Sequence, residues 1–514
     1  MGASARAWAQ QSEPVEALVI GSGFGGAIAA LRLAEAGVKV VVLERGRRWQ
    51  IRPDGDTFAT FENPDGRAAW LSNVTVGIDN PPRPIDRYTG VLELIQARGM
   101  DVRNGAGVGG GSLAYNAIML QPRPELFEQV FPHYIDYDEM NSVYYPRVRR
   151  MLGLSTIPDD VLNSPYYRNT KINLEQARNA GFETRPVEYG IDFNIVREEI
   201  QGLKRPSAID GQSWYGLNSG AKNSVDKNYL RLAEGSGRVE VLPLHQVMDI
   251  YEAGPGAYAL LVHQLNTDGS VRQVKVFVTQ HLFLGAGSMG TSMLLTKAKA
   301  KGTMPRLNEW IGKEWGGNGD FVAFRGGLPP DNNAGQGGPC GHIVMEDTNN
   351  TYSPTAMVEL VVPKANAFPG ASLYVGLGLA PPIGSFTYNP ATDSAELTWP
   401  GNDPRLGAFL SGAESMVQKM NTANPGSFTA FYAPNFTAHP VGGAVLGKAT
   451  TRIGRVRDHR GLYVVDGALI PGGSVGGVNP AFTIAALAER CMDQIIASRF
   501  DEEEERLLTT SRTR

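Results

Sequence analysis

The sequence predicts a mixed α/β fold opened by a parallel βαβ unit, on three observations. Between residues 17 and 46 a glycine-rich turn joins an apolar strand to an Ala-rich helix and a second, β-branched strand. Strand, small-residue turn and helix recur at 282–295. Alternating apolar and polar residues at 355–380 predict further sheet, and 386–397, with Asn389-Pro390 inside it, predicts a hairpin.

The first unit reads ALVIGSGFGGAIAALRLAEAGVKVVVLERG. Residues 17–20 form the strand, and Gly21, Gly23 and Gly26 make G-x-G-x-x-G. Gly21 suits a tight turn, Gly23 lets backbone approach a pyrophosphate, and Gly26 lets helix and strand pack closely. The helix N-terminus then offers unpaired N–H groups to the phosphates. Glu44, 18 residues past Gly26 at the end of the second strand, is placed to accept from a ribose hydroxyl.

With 514 residues the chain holds two or three cores. Its 48 basic and 52 acidic residues give a net charge of −4, which offers no electrostatic case for nucleic-acid binding. The two cysteines, Cys340 and Cys491, have no metal-ligand spacing, and no metal site is expected. No apolar run reaches the length of a membrane-spanning helix. Near the amino terminus Ala-Trp-Ala reads either as the remnant of a signal-peptide cleavage site or as part of an unstructured extension.

After Gly46, residues 47–88 lose periodicity and include Trp49, Trp70 and NPPRP at 80–84, the profile of a lid over a cavity. Five glycines crowd residues 105–111, followed by polar Ser112, Tyr115 and Asn116. Helical spacing marks 125–154, 171–180 and 406–420. Strands are expected at 239–242, 258–265 and 272–278, with a separate one at 282–284. Residues 316–341 read as a crossing into a second domain, 462–465 as a late strand, the segment from 481 as a helix, and 501–505 as a solvated acidic run.

Glycine clusters at 21, 105 and 285, with Asp466-Gly467 after the late strand, exceed what a single nicotinamide site needs and favour FAD. At this point the chain resembles the GMC (glucose–methanol–choline) oxidoreductases, on the branch of bacterial cholesterol oxidases that hold FAD non-covalently. The resemblance rests on VIGSGFGGAIAALRLAEAG, GVGGGSL, NSVDKNYL, LHQV, LFLGAGSMGT, HPVGGAVLGKAT, LYVVDGALIPG and VNPAFTIAALAER. With no histidine before His133, a histidyl–flavin bond from the first quarter of the chain is excluded.

The resemblance implies a Rossmann-like FAD-binding domain assembled from 14–50, 222–318 and 450–514. It also implies an α+β substrate domain, 51–221 and 319–449, built on a large antiparallel sheet with helices. By position, Gly21, Gly23, Phe24, Gly25, Gly26, Glu44, Gly111, Asn116, Met119 and the backbone of Val247 match cofactor contacts, as do Asp466, Gly467 and Asn479. The implied reaction is oxidation of a sterol 3β-hydroxyl by O₂, giving hydrogen peroxide, followed by Δ5-to-Δ4 isomerisation. Another bulky apolar alcohol, oxidised by a dehydrogenase, is the alternative. The resemblance further implies a monomer in transient contact with a membrane surface; a secreted protein is expected, with a cytoplasmic one as the alternative.

Oxidising an alcohol needs a partner for the hydroxyl proton and a hydride acceptor. His439, in AHPVGG, matches the family's active-site histidine, and Asn479 matches the asparagine beside the flavin while also suiting a helix cap. Glu359 shares a strand face with Met357 and Val361, among apolar neighbours that would raise its pKa. The resemblance makes it the base of the isomerisation.

Overall fold

A computed structural model describes residues 14–498 except 78–80, 255, 334 and 365–367. The amino-terminal Ala-Trp-Ala, Asn80 of the NPPRP run and the acidic run at 501–505 lie outside the described residues.

The glycine turn sits where its sequence places it, between β1 (Pro14–Ile20) and α1 (Phe24–Glu35), with β2 (Val40–Leu43) following. β1 pairs in parallel with β2 on one side and with the end of β9 (Val271–Leu284) on the other, so Ala17, Leu18 and Val19 are fully buried. Gly26 secures the helix–strand contact, since a Cβ there would overlap the carbonyl of Gly21. β6 (Val239–Leu242) extends the parallel part beyond β2, and β18 (Leu462–Val464) pairs in parallel with β9. β7 (His245–Gly254) and β8 (Ala257–Leu265) complete this seven-stranded sheet as an antiparallel meander.

One expectation is corrected in this sheet. Residues 272–278 and 282–284 belong to one 14-residue strand, β9, which pairs antiparallel with β8 up to Thr279 and parallel with β1 from Val278 onward. Its two halves differ in partner, and that difference makes the pattern look like two strands.

Two helices cover the sheet and meet each other. α1 packs against α5 (Ala481–Ala497), where the carboxylate of Glu489, fully buried, receives Arg32 at 2.7 Å, Arg147 at 3.2 Å and the Tyr229 hydroxyl at 2.8 Å.

The second large sheet has six antiparallel strands in the order β16-β10-β13-β12-β11-β5. These are β5 (Glu183–Pro186), β10 (Phe321–Gly326), β11 (Cys340–Asp347), β12 (Thr355–Leu360), β13 (Ser372–Gly378) and β16 (Phe428–Ala433). β10 lies inside 316–341, so that segment is not only a crossing. Met345, Met357 and Tyr374 on one face pack with α2 (Arg168–Asn179) and α4 (Gly407–Ala423). Val344, Val358, Leu360 and Val375 on the other face join the main core that contains the first sheet. A mixed α/β and α+β architecture is therefore what the chain adopts.

β3 (Leu92–Ala97), β4 (Met100–Gly105) and β17 (Phe436–Thr437) form a small sheet, and β14 (Ser385–Asn389) with β15 (Ser394–Thr398) forms the expected hairpin. α3 (Gly287–Ala300) packs on this hairpin and on β7. Residues 47–88 do not form the expected lid: among the described residues none of them lines the cavity described below. Their aromatics, Trp49, Phe58 and Phe61, instead build a satellite core with Tyr215, which stacks on Phe61 at 4.4 Å.

Candidate functional site

A cavity of about 590 Å³ opens between the carboxyl ends of the first sheet's parallel strands and the core-facing side of the second sheet. Gly21, Gly23, Phe24 and Gly25 reach it from the β1–α1 turn, Glu44 from the end of β2, and Gly111 and Asn116 from the second glycine segment. Val247 comes from β7, Asp466 and Gly467 follow β18, His439 follows β17, and Asn479 stands just before α5.

Three predicted residues are not brought there. Gly26 packs beneath the turn, as its overlap with Gly21 requires. Met119 is fully buried away from the cavity, and Ile118 lines it instead. Ala117 has φ 58°, a left-handed turn in the chain just before, and the Met119 N–H is committed to Glu188 O.

Glu359 is the third. Its neighbour Leu360 and Val375, the partner of its other neighbour Val358, line the cavity, so Glu359, paired with Tyr374 on the alternate face of β12, is turned toward α2. Its surroundings are not apolar: Asn169 donates to its Oε1, and Thr170 and Asn173 also face it. Burial pushes its pKa up, against the opposing amide and hydroxyl bonds. A carboxylate on the far face of a sheet does not reach a substrate on the near face, and the isomerisation role assigned to it does not fit this placement.

The reactive end is built around an imidazole. His439 Nδ1 lies 2.8 Å from Asp320 Oδ1, a carboxylate whose side chain is fully buried. Asp320 Oδ2 in turn accepts from the Thr437 hydroxyl at 2.9 Å and the Ala438 N–H at 3.1 Å. The Thr437 oxygen accepts the His439 N–H at 2.9 Å. With Nδ1–H donating to Asp320, the lone pair of His439 lies on Nε2, where it accepts from Asn479 Nδ2 at 3.1 Å until a substrate hydroxyl takes that place. Asn479 Oδ1 is buried without a partner.

Asp320 escapes the sequence reading, and so does Asn318, whose amide donates to Val478 O at 2.9 Å and accepts from the Val475 N–H at 3.0 Å. The turn 316–320 thus grips both the histidine and the loop that carries Asn479. The available signal was Asn-Gly-Asp immediately before a β-branched and aromatic run.

The rest of the cavity fits a dinucleotide. α1 has no side-chain cap on its N-terminus, leaving N–H groups free for a diphosphate. Side chains added at Gly23 or Gly111 would enter open volume, the nearest atom to Gly23 being Gly110 Cα at 3.9 Å, with none within 4 Å of Gly111. Bare backbone therefore faces the space where a flat ligand lies. Glu44 is buried and fixes the turn, accepting from the Ser22 N–H at 3.1 Å, the Ser22 hydroxyl at 2.6 Å and the Gly46 N–H at 2.8 Å. Burial pushes Asp466 up to about 6, although it accepts from Gly287 N, Thr291 Oγ1 and Ala468 N. Tyr115, Asn116 and Trp214 line the cavity, and Tyr115 Oη, Asn116 Oδ1 and Trp214 Nε1 are buried with no partner.

Residues 401–488 match the GMC oxidoreductase family, and residues 16–52 match the FAD binding domain. The chain carries a GMC oxidoreductase domain and an FAD-binding domain. FAD is its non-covalently bound cofactor, and the chemistry of this FAD-dependent oxidoreductase is that of alcohol oxidation. It is 26% identical to a cholesterol oxidase of Acinetobacter baumannii over 95% of this chain and 95% of that protein. It is 27% identical to a cholesterol oxidase of Mycobacterium tuberculosis over 92% of this chain and 90% of that one. The solved structure of pyridoxine 4-oxidase from Mesorbium loti superposes with a TM-score of 0.59 at 14% identity, covering 93% of this chain and 99% of that chain, which is a likeness of fold.

Proposed function

We propose that this oxidoreductase oxidises the hydroxyl of a bulky, largely apolar alcohol of sterol type, with O₂ as the final electron acceptor and hydrogen peroxide as product. The observation that carries the reading is the Asp320–His439–Asn479 arrangement at the end of the cavity. Apolar walls beside it, from Ile118, Leu360, Val375 and Phe436, suit an apolar skeleton. Similarity to two cholesterol oxidases supports the substrate class and the oxidase assignment.

When bound, FAD supplies the hydride acceptor. The protein's part is to place the alcohol and manage its proton. Nε2 of His439 accepts the hydroxyl proton, and the buried Asp320 fixes the tautomer and stabilises the imidazolium that results. The Asn479 side chain, next to Nε2, holds the substrate oxygen as it gains negative and then carbonyl character. Core-facing residues of the second sheet roof the site and keep water from it. We assign 14–50, 222–318 and 450–514 to the FAD-binding domain and 51–221 with 319–449 to the substrate domain. Transient contact with a membrane surface belongs to the same reading, since sterols are dissolved in bilayers.

The product expected is the ketone with its double bond unmoved. A coupled Δ5-to-Δ4 shift needs a base above the ring, and Glu359 faces the other side of β12.

A peroxide assay on the holoenzyme across cholesterol, shorter 3β-hydroxysteroids and non-steroid alcohols tests the proposal. Peroxide release with 3β-hydroxysterols is the expected result. Turnover restricted to non-steroid alcohols would overturn the sterol assignment, and turnover only with an artificial acceptor would overturn the oxidase assignment.

A further inference from the structure

Arg103, on β4, lines the same cavity as His439, yet its Nε and Nη1 are buried with no partner. Another arginine on the cavity, Arg45, is held by Glu93 at 2.6 Å, whereas among the described residues no ion pair engages Arg103. Asp101, two residues back on the strand, acts on it only through space. The guanidinium lies over the ring of Phe436, 5.6 Å from its centroid.

An arginine does not shed its charge near neutrality, so a partly buried guanidinium with Nε and Nη1 unmet has room for an anion. Burial lowers its pKa from the usual arginine value by more than Asp101 and Tyr215 restore it through space.

The register locates this charge relative to the reactive end. β17 runs parallel to β4 with Phe436 opposite Asp101 and Thr437 opposite Val102, which sets Arg103 level with Ala438, one residue before His439. The guanidinium reaches back to Phe436, three residues before His439, and at about 3.3 Å per extended residue that is roughly 10 Å away.

We propose that Arg103 is an anion subsite for the substrate, binding a carboxylate or sulfate carried on the order of 10 Å from the hydroxyl that His439 deprotonates. The inference rests on the alcohol-oxidation reading above and narrows it from a neutral sterol to an acidic one. The other anion due in the cavity is the cofactor's diphosphate, for which the free α1 N-terminus and Gly23 already provide.

The test uses FAD-loaded wild-type protein, Arg103→Met and Arg103→Lys, with a 3β-hydroxysteroid bearing a C17 carboxylate and its methyl ester as probes. Anaerobic titrations followed by the flavin difference spectrum give Kd, and peroxide release gives KM. The wild type binds the acid at least about tenfold more tightly than the ester, as expected for a hydrogen bond between charged groups. Arg103→Met erases that preference, Arg103→Lys keeps part of it, and FAD content is the same in all three. Equal binding and turnover of acid and ester by the wild type overturns the subsite while leaving sterol oxidation standing. Loss of FAD from Arg103→Met assigns the guanidinium to the diphosphate and overturns the proposal. If neither probe binds to or is oxidised by a fully FAD-loaded wild type, the sterol reading and the subsite fall together.

Discussion

Asp320 Oδ1 lies 2.8 Å from Nδ1 of His439, and this one bond decides which ring nitrogen is left to meet a substrate. Replacing Asp320 by Asn keeps the shape and offers an N–H to Nδ1, which moves the ring proton to Nε2 and removes the base. Asp320→Asn should therefore lower kcat by about 10²- to 10⁴-fold with FAD content and visible spectrum unchanged, measured by steady-state and stopped-flow reduction.

Gly23 and Gly25 separate cofactor space from packing. At Gly23, φ is −70° and a side chain would project into the cavity, so Gly23→Val should fold with an unaltered far-ultraviolet circular dichroism spectrum but lose at least about tenfold in FAD affinity. At Gly25 a Cβ would overlap the carbonyl of Val465, so Gly25→Val should yield little folded protein. Flavin fluorescence titration and expression yield distinguish the two outcomes.

Glu359→Gln should leave the product distribution unchanged, read by separating 5-en-3-one from 4-en-3-one after brief turnover. It should also change the pH dependence of stability. Burial raises the folded-state pKa of Glu359, so the wild type loses stability as pH climbs from the ordinary carboxylate value through the raised one. The variant lacks that penalty. Its Tm should match the wild type below the ordinary carboxylate value and exceed it above the raised one.

Glu489 serves three partners from the interface of α1 and α5; its loss leaves Arg32 with Glu35 and Arg147 with Asp493, and strands the buried Tyr229 hydroxyl. Glu489→Ala should cost about 1–3 kcal/mol in denaturant unfolding of the holoenzyme. FAD release should accompany the transition, since α1 carries the glycine turn.

What the sequence made legible is what local patterning encodes. The β1–α1–β2 unit, the turn before α3 and the final helix each announce themselves by periodicity and glycine within about 30 residues. Glu359 marks where that logic stops. Alternation correctly groups it with Met357, but only the packing of α2, some 190 residues earlier, and α4 decides which face of β12 meets helices. Asp320 and Arg103 were missed for a related reason: each is a single side chain whose meaning depends on a strand from elsewhere, β17, passing beside it. Met119 was misplaced because one left-handed residue, Ala117, changes the sense of the chain just before it.

The grip of Asn318 on the 475–478 loop and of Asp320 on the imidazole makes a tripeptide the gauge of the reactive centre. One residue inserted between them would draw the amide and the ring apart and disarm both at a stroke. The exposed turn at 266–270 touches no reactive group, being tied only through the Thr267 carbonyl to Thr89 and through Gly269 to Leu71, so drift in chain length should cost catalysis less there than at 318–320.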